Sequence, residues 1–195
     1  MLSLPERTSN AMNAASPGIT DDASASQCTP RWEPIFGQAA TGMNDTVLAL
    51  AEFDDGSGAG PQTYAAGAFT TANGVAVLHI AKWTGNAWEA MPGTPAGTGT
   101  NGRIYTLLVH DDGSGPALYA GGTFSSIGGV AATNIAKWNG TNWSPLGTGC
   151  SSRVHCMTAF DDGNGDALYV GGEFTSAGGQ PAKYVAKWNG TSWSS

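Results

Sequence analysis

Residues 111–129 read DDGSGPALYAGGTFSSIGG, and this stretch occurs in three copies. The other two copies are DDGSGAGPQTYAAGAFTTANG at 54–74 and DDGNGDALYVGGEFTSAGG at 161–179. A second element follows each copy: HIAKWTGNAW at 79–88, NIAKWNGTNW at 134–143 and YVAKWNGTSW at 184–193. Repeats of about 50 residues indicate stacked supersecondary units. A residue that recurs in every copy is therefore expected to serve the unit before it serves a single site.

Composition argues against several classes of partner. The net charge is −7 and no basic run interrupts it, which argues against nucleic acid and against an anionic membrane surface as partners. No apolar stretch approaches the roughly 20 residues of a membrane-spanning helix. Glycine accounts for 29 of 195 residues, about twice its usual share, and this predicts many tight turns.

Each repeat predicts a four-stranded antiparallel unit. In the second copy, IYTLLVH at 104–110 and ALYAGGTF at 117–124 read as strands, and SSIGGVAA at 125–132 reads as a loop. The segment TNIAKWNG then meets TNWSPLG as the second pair of strands. No segment of ten residues shows helical periodicity, so the body of the chain is predicted to be all-β.

The pair Asn139-Gly140 predicts a two-residue hairpin of type I′, in which both residues need positive φ. Asn189-Gly190 repeats the signal in the third copy. This register would pair Trp138 with Thr141 and place Trp138 and Trp143 on one face as diagonal neighbours. We therefore interpret the tryptophans of the repeat as packing elements: Trp83, Trp88, Trp138, Trp143, Trp188 and Trp193.

Two diglycines fall inside predicted strands, Gly121-Gly122 and Gly171-Gly172. Glycine at such a position marks a bulge or a close approach of another backbone, which the packing of one sheet on the next would demand. A phosphate-binding loop is not indicated, because no lysine follows with the required spacing and no helix follows to supply amides.

The combination of LYAGG, a hydrophobic strand ending in an aromatic residue, IAKW, and WSPLG resembles the kelch repeat of the galactose-oxidase-like β-propellers. It is also similar to the fungal cortical-marker propellers and to tandem repeats of large secreted bacterial proteins. The resemblance implies one four-stranded blade per repeat, with blade 1 at 38–93, blade 2 at 94–147 and blade 3 at 148–195. It also implies an extracellular or cell-surface location, although the N-terminus lacks the apolar region of a secretory signal.

Three blades are fewer than the four to eight, roughly, that close a propeller. Four arrangements remain open at this stage. The chain is part of a longer propeller protein, two copies close a six-bladed ring, the blades stack as an open filament, or the arc persists as a marginal monomer. The partners expected are accordingly other copies of the chain or the other blades of a longer protein.

The N-terminal residues 1–31 read as a flexible or docking arm. Residues 32–37 resemble an isolated outer strand, because RWEPIFG is a near copy of NWSPLG. We predict that Trp32, Pro34 and Phe36 donate this strand to a sheet edge at blade 3, since an exposed edge is a template for pairing. The alternative is a leftover strand from an upstream blade.

Paired acids begin each copy and are candidates for calcium ligands: Asp54, Asp55, Asp111, Asp112, Asp161 and Asp162. Calcium takes six to eight oxygen ligands, roughly, whereas adjacent side chains in an extended segment point apart. Asp-Gly turns explain the same motif without a metal. We therefore expect no cofactor, with calcium as the alternative.

Cys150 and Cys156 flank the segment SSRVH and would bridge a short loop in an oxidising compartment. The alternative is that both are simply small residues. Cys28 would then stay free or pair between chains.

No catalytic set is readable from spacing. His79, His110 and His155 occupy different repeat positions, and the resemblance does not bring the copper site of galactose oxidase, whose constellation has no match here. The expected function is therefore a non-enzymatic module for protein interaction, adhesion or extracellular architecture. Its specificity would lie in the loops that vary between copies, at 72–77, 100–103, 150–153 and 178–183.

Two other functions remain open. The first is a carbohydrate-binding, lectin-like module, for which exposed tryptophans would be the signature. The second is a self-assembling structural subunit that is joined through its N-terminal arm.

Overall fold

The computed structural model describes residues 42–92 and 99–195. All of them belong to one compact unit, Pro34–Ser195. Every regular element within these residues is a β-strand, which confirms the all-β prediction. Among the described residues, no helix has the length and apolar character that crossing a membrane requires.

The strands form three four-stranded antiparallel sheets, and three short two-stranded ribbons lie outside them. In each sheet the four strands are neighbours in the order in which they occur along the chain. Sheet 1 contains β1 (Val47–Phe53), β2 (Gln62–Gly67), β5 (Ile80–Trp83) and β6 (Trp88–Glu89). Sheet 2 contains β7 (Ile104–Asp111), β8 (Pro116–Gly122), β11 (Ile135–Trp138) and β12 (Trp143–Pro145). Sheet 3 contains β13 (Val154–Asp161), β14 (Asp166–Gly172), β17 (Val185–Trp188) and β18 (Trp193–Ser194).

A two-stranded ribbon lies between the second and third strands of each sheet, where the sequence predicts only a loop. In the second repeat, Gly128 and Gly129 have positive φ and form the turn of this ribbon, as glycine does without steric cost. The ribbons are β3 (Thr71–Ala72) with β4 (Val75–Ala76), β9 (Ser126–Ile127) with β10 (Val130–Ala131), and β15 (Ser176–Ala177) with β16 (Gln180–Pro181).

The hairpin between β11 and β12 differs from the predicted two-residue turn. Trp138 lies directly opposite Trp143, so the loop has four residues and the prediction of diagonal neighbours is wrong. Only Gly140 has positive φ, at 94°, whereas type I′ needs it at Asn139 as well. The Asn139 Oδ1 instead accepts hydrogen bonds from the next two backbone N–H groups after Gly140, at 3.0 and 2.8 Å. An Asn side chain that binds its own backbone in this way sets the turn itself.

The three sheets pack face to face, and their first strands β1, β7 and β13 are successive neighbours. Tyrosines, tryptophans and branched aliphatic residues fill the space between them, as the alternation of a half-buried strand requires. The core between sheets 1 and 2 includes Phe53, Tyr64, Ile80, Leu107, Leu118 and Trp138. The core between sheets 2 and 3 includes Tyr119, Ile135, Leu146, Val154, Leu168 and Trp188.

The diglycine Gly121-Gly122 lies opposite a bulge in β7 and permits two close contacts. A Cβ atom on Gly121 would come within 2.5 Å of the Val154 Cγ1 atom in sheet 3, and one on Gly122 would collide with the carbonyl oxygen of Arg103. The pair therefore serves both the bulge and the approach of the next sheet. In the third repeat, Gly172 meets its own first strand in the same way.

The hairpin glycines of sheets 2 and 3 also touch the preceding sheet. A Cβ atom on Gly140 would collide with the carbonyl oxygen of Asp55, and one on Gly190 with that of Asp112. Gly85, the equivalent residue of sheet 1, has no atom of the described residues within 4 Å of that position. The three glycines have nearly the same φ, between 94° and 96°, so only the contact differs.

We expect Gly140→Ala to destabilise the protein more than Gly85→Ala. Both variants place an L-residue at positive φ, which costs about 1–2 kcal/mol. Only Gly140→Ala adds a collision with the neighbouring sheet, and overpacking of this kind costs about 1–3 kcal/mol more. Urea denaturation of the two variants in dilute solution measures the difference, and equal losses would contradict the inter-sheet contact.

Candidate functional site

The first aspartate of each acidic pair closes its own turn. The Asp111 Oδ1 accepts hydrogen bonds from the backbone N–H groups of Gly113 and Gly115, both at 2.9 Å. Asp161 repeats the two bonds at 2.8 and 3.0 Å, and Asp54 makes the first of them at 3.0 Å. These bonds are those of an aspartate turn.

The second aspartate joins the turn to a lysine on the third strand of its sheet. The Asp112 Oδ1 accepts from the Ser114 backbone N–H at 3.3 Å, and its Oδ2 accepts from the Lys137 Nζ at 2.7 Å. Asp162 and Lys187 form the same pair at 2.6 Å. Asp55 pairs with Lys82 in sheet 1.

A tyrosine on the second strand completes the group. Lysine and tyrosine are direct cross-strand partners in all three sheets, so their side chains lie side by side on one face. The Tyr169 hydroxyl donates to the Asp162 Oδ2 at 2.7 Å, and the Tyr64 hydroxyl donates to the Asp55 Oδ2 at 3.1 Å. We call each group an Asp–Lys–Tyr cluster: Asp55, Lys82 and Tyr64; Asp112, Lys137 and Tyr119; Asp162, Lys187 and Tyr169.

The sequence analysis assigned no role to these lysines and tyrosines. The signal was nevertheless present, since Lys recurs in each AKW segment and Tyr recurs in TYAAG, LYAGG and LYVGG. What could not be read from spacing is that the lysine and, in sheets 1 and 3, the tyrosine hydroxyl converge on one carboxylate oxygen, because the strand register decides this.

The cluster of sheet 2 also binds the next sheet. The Trp188 Nε1 donates to the Asp112 Oδ2 at 3.2 Å, and Gly190 lies against the Asp112 carbonyl oxygen. One aspartate therefore contacts its own turn, its own third strand and the neighbouring sheet. We call this set of contacts the seam.

Each sheet thus has two distinct faces. The cluster face carries the Asp–Lys–Tyr cluster, and in sheets 2 and 3 the opposite tryptophan face packs on the preceding sheet. Sheet 2 buries both of its faces between its neighbours. Within the described residues, no further sheet covers the tryptophan face of sheet 1 or the cluster face of sheet 3. Ala65, Ala81 and Trp88 on the tryptophan face of sheet 1 are nevertheless buried.

The pKa values of the buried cluster side chains lie far from neutral pH. Burial by itself raises the pKa of the Asp112 carboxyl, but hydrogen bonds from Lys137 and Ser114 outweigh it and hold that pKa well below its usual range. Burial and the nearby carboxylate raise the pKa of the Tyr119 hydroxyl far above its ordinary value. A general acid or base works best with a pKa near the operating pH, so this arrangement suits a structural role.

The same hydrogen bonds occupy the aspartate oxygens that would have to coordinate a calcium ion. One oxygen of the second aspartate faces a lysine ammonium and the other faces a backbone N–H group, as for Asp112. The described residues contain no group of three or more His, Cys, Asp or Glu side chains placed to hold a metal ion. The geometry favours turn formation over calcium coordination, and calcium binding stays the alternative.

The two tryptophans of each repeat form close pairs, with ring centroids 5.4 to 5.5 Å apart. The Trp193 Nε1 also donates to the Leu146 carbonyl oxygen of sheet 2 at 2.9 Å. Trp83 is half-buried. The other five are buried: Trp88, Trp138, Trp143, Trp188 and Trp193.

The loops at 100–103 and 150–153 hold the ribbons in place. The Asn101 Oδ1 accepts from two consecutive ribbon N–H groups at 2.9 and 3.1 Å. The Ser151 Oγ accepts from the equivalent two groups, both at 3.1 Å. The other predicted variable loops, 72–77 and 178–183, contain ribbon strands and turns. Part of each variable loop is therefore structural.

The histidines are spread over the three sheets. His79 directly precedes β5, and His110 is buried in β7 with its Nδ1 3.6 Å from the Asp166 Oδ2. His155 lies exposed in β13, with its Nε2 3.0 Å from the Glu173 Oε1. No two of them share a sheet.

The predicted disulfide is absent, since Cys150 and Cys156 are both free. Cys150 is buried in the core between sheets 2 and 3, whereas Cys156 lines the exposed cluster face of sheet 3. The two side chains therefore lie in different environments. Burial raises the pKa of the Cys150 thiol to about 12, which makes it a poor nucleophile.

Several predicted elements lie outside the described residues. They are the arm at 1–31, the strand at 32–37 with Trp32, Pro34 and Phe36, and Cys28.

Comparison with models of known protein families, with curated proteins and with solved structures found no match.

We expect Lys137→Met to reduce the free energy of unfolding by about 3–5 kcal/mol, because it leaves a buried carboxylate without its cation. The Asp112 side chain is only 1% exposed. Lys187→Met is the matched control, since its partner Asp162 is 31% exposed and stays hydrated. Urea denaturation compares them, and equal losses would show that the pair is not buried in solution.

We expect Asp112→Asn to remove part of the acid sensitivity of folding. The folded-state pKa of Asp112 is depressed, so its contribution is complete above the unfolded pKa of about 3.9 and is lost as the pH falls through the folded pKa. The stability gap between wild type and Asp112→Asn should stay constant between about pH 7 and 5 and shrink below about pH 4. Denaturation across this range measures the gap, and a gap that widens with acid would refute the assignment.

Proposed function

We propose that this chain is a non-enzymatic, kelch-like β-propeller repeat module that acts in protein interaction, in adhesion or in extracellular architecture. The propeller arrangement is supported by three sheets of identical strand order that pack face to face with their first strands adjacent. In this proposal each sheet is one blade, and the location is extracellular or at the cell surface, as the sequence resemblance implies.

The proposal is supported by the contacts of the residues that recur in every repeat, because these contacts lie within and between the sheets. The cluster aspartates bond to the lysines within the sheets, the tryptophans of sheets 2 and 3 pack between sheets, and Asp112 also bonds to the next sheet. Large apolar side chains that remain exposed lie on β1 and on the cluster face of sheet 3, such as Leu50, Phe160 and Val185. Exposed apolar faces are typical of interaction surfaces.

Two features support a role without catalysis. The buried clusters have pKa values displaced away from neutrality, and the three histidines lie on different sheets. Catalytic groups instead need matched pKa values and mutual contact.

Carbohydrate binding is the alternative function. Sugar-binding sites stack a ligand on an exposed aromatic ring, and five of the six repeat tryptophans are buried. Trp83 alone among these six is half-buried, so it is the residue to test for this alternative.

An adhesion assay separates the two functions. Surfaces coated with the chain should retain cells of the source organism above an albumin-coated control, because the exposed apolar side chains bind surface proteins. Mild proteolysis of the cells should abolish retention, while enzymatic removal of their glycans should leave it. Retention that depends on glycans and is lost in Trp83→Ala would establish the lectin alternative, and no retention would refute adhesion.

A further inference from the structure

We propose that Asn139 and Asn189 are sites of spontaneous deamidation, at which each hairpin converts its own asparagine into aspartate and isoaspartate without an enzyme. Each of these asparagines precedes a glycine in the loop that joins the third and fourth strands of its sheet. The reaction needs only water as a partner, so it is independent of the proposed function.

The reaction begins at the backbone nitrogen of the residue after the asparagine. This nitrogen attacks the side-chain Cγ atom, its proton passes to the departing amide nitrogen, and ammonia leaves a succinimide ring behind. Water then opens the ring at either carbonyl carbon, which gives aspartate or isoaspartate. In isoaspartate the backbone runs through the Cβ methylene group and is one atom longer. Glycine favours the first step because it has no side chain to hinder its nitrogen.

The chain contains five Asn-Gly pairs, which begin at Asn73, Asn101, Asn139, Asn164 and Asn189. A reactive pair needs a glycine N–H group without an acceptor, donors on the Oδ1 atom that becomes negatively charged, and access to water. The dipeptide is the same in every case, so only the contacts of the folded chain decide which pairs meet these conditions.

The two hairpin asparagines meet all three conditions. The Asn189 Oδ1 accepts hydrogen bonds from the two backbone N–H groups that follow Gly190, at 3.0 and 2.8 Å, and the Asn139 Oδ1 accepts the equivalent bonds at the same distances. These bonds fold each side chain over its own following backbone and stabilise negative charge on Oδ1. The N–H groups of Gly140 and Gly190 bond to no acceptor among the described residues, and both asparagines are exposed.

The Asn-Gly pair in the acidic turn of sheet 3 has its two reacting groups bound elsewhere. The Gly165 N–H donates to the Asp161 Oδ1 at 3.0 Å. The Asn164 Nδ2 donates to the Asp162 Oδ1 at 3.1 Å. Because the attacking nitrogen and the carboxamide are held by different carboxylates, this pair should stay unmodified in the folded chain.

The remaining two pairs each fail a different condition. The Asn101 Oδ1 accepts from two ribbon N–H groups at 2.9 and 3.1 Å, and its Nδ2 donates to the Ser125 Oγ at 2.8 Å. Turning this carboxamide toward the Gly102 nitrogen would break all three bonds. The Asn73 Oδ1 is buried and no donor among the described residues bonds to it, so negative charge on this oxygen is unfavourable.

Isoaspartate at Asn189 would disturb the seam. A Cβ atom on Gly190 would collide with the Asp112 carbonyl oxygen, so the additional backbone atom directly before Gly190 changes a contact that has no spare room. The Trp188 Nε1 bond to the Asp112 Oδ2 lies on the other side of the same hairpin residue. Deamidation at Asn189 should therefore weaken the contact between sheets 2 and 3 as the protein ages.

The experiment is timed incubation of the full-length chain at mildly alkaline pH, followed by peptide mass spectrometry that measures isoaspartate at each Asn-Gly pair. We expect Asn139 and Asn189 to react at least about tenfold faster than the other three pairs, because a single lost oxyanion donor costs that much or more. The same incubation in urea is the reference, since unfolding should bring the five rates together.

Two variants test the loop geometry separately from the dipeptide. Thr84→Asn creates an Asn-Gly pair in the equivalent hairpin of sheet 1, where the Thr84 N–H donates to the Ala87 carbonyl oxygen as the Asn139 N–H does to that of Asn142. The new asparagine should react as fast as Asn189. Asn189→Ser keeps an oxygen acceptor for the loop but cannot form the ring, so it should stay unmodified.

Urea denaturation before and after the incubation tests the effect on the seam. The midpoint of the wild-type chain should fall as isoaspartate accumulates. The midpoint of a chain that carries both Asn139→Ser and Asn189→Ser should not change with incubation, because this chain lacks both reactive pairs.

Two results would overturn the assignment of these sites. They are equal rates at all five pairs in the folded chain, and no isoaspartate at Asn139 or Asn189 after an incubation that modifies the unfolded chain. An aged chain with isoaspartate at Asn189 and an unchanged urea midpoint would keep the site and refute its effect on the seam. Cell retention enters none of these readouts, so failure of the adhesion role is a separate result.

Discussion

One buried carboxylate, that of Asp112, sets the geometry of the middle of the molecule. Removing a carboxylate from water costs several kcal/mol, roughly, unless cations and donors replace the hydration. Lys137 from the third strand and Trp188 from the next sheet supply these partners. A turn, a strand and a neighbouring sheet must therefore reach the same point, which ties the internal structure of one repeat to the placement of the next.

Close approach between sheets is the second condition. Gly121 and Gly190 lie where any side chain would strike the adjacent sheet, and their absence of a Cβ atom lets the tryptophan pairs and apolar residues close the remaining space. The polar contact between Trp188 and Asp112 fixes how one sheet is oriented on the next. The apolar contacts supply the area buried between the sheets. Because the direction is the same at both interior contacts, the stack has a head and a tail.

The recurring residues are used for this stacking, which explains why the repeat motif itself points to no chemistry. Cluster members that hold the sheets, such as Asp112 and Tyr119, have strongly displaced pKa values. What distinguishes one repeat from another is its position. Asp162 binds the lysine of its own sheet as Asp112 does, but no described sheet lies beyond it. The same residue type therefore joins two sheets at Asp112 and lies at a partly exposed surface at Asp162.

The repeat spacing, the strand pattern and the glycine positions were enough to determine an all-β body of four-stranded units, because alternation and turn residues are local properties. The exchange of a two-residue turn for a four-residue loop at Asn139 was not predictable in this way, since the side chain competes with the backbone for the same N–H groups. Only the tertiary structure decided that Lys137 and Tyr119 flank Asp112, that Cys150 and Cys156 stay apart, and which sheet faces pack on another sheet. These depend on strand register and on the packing of whole sheets, and both are set by contacts between residues far apart in the chain.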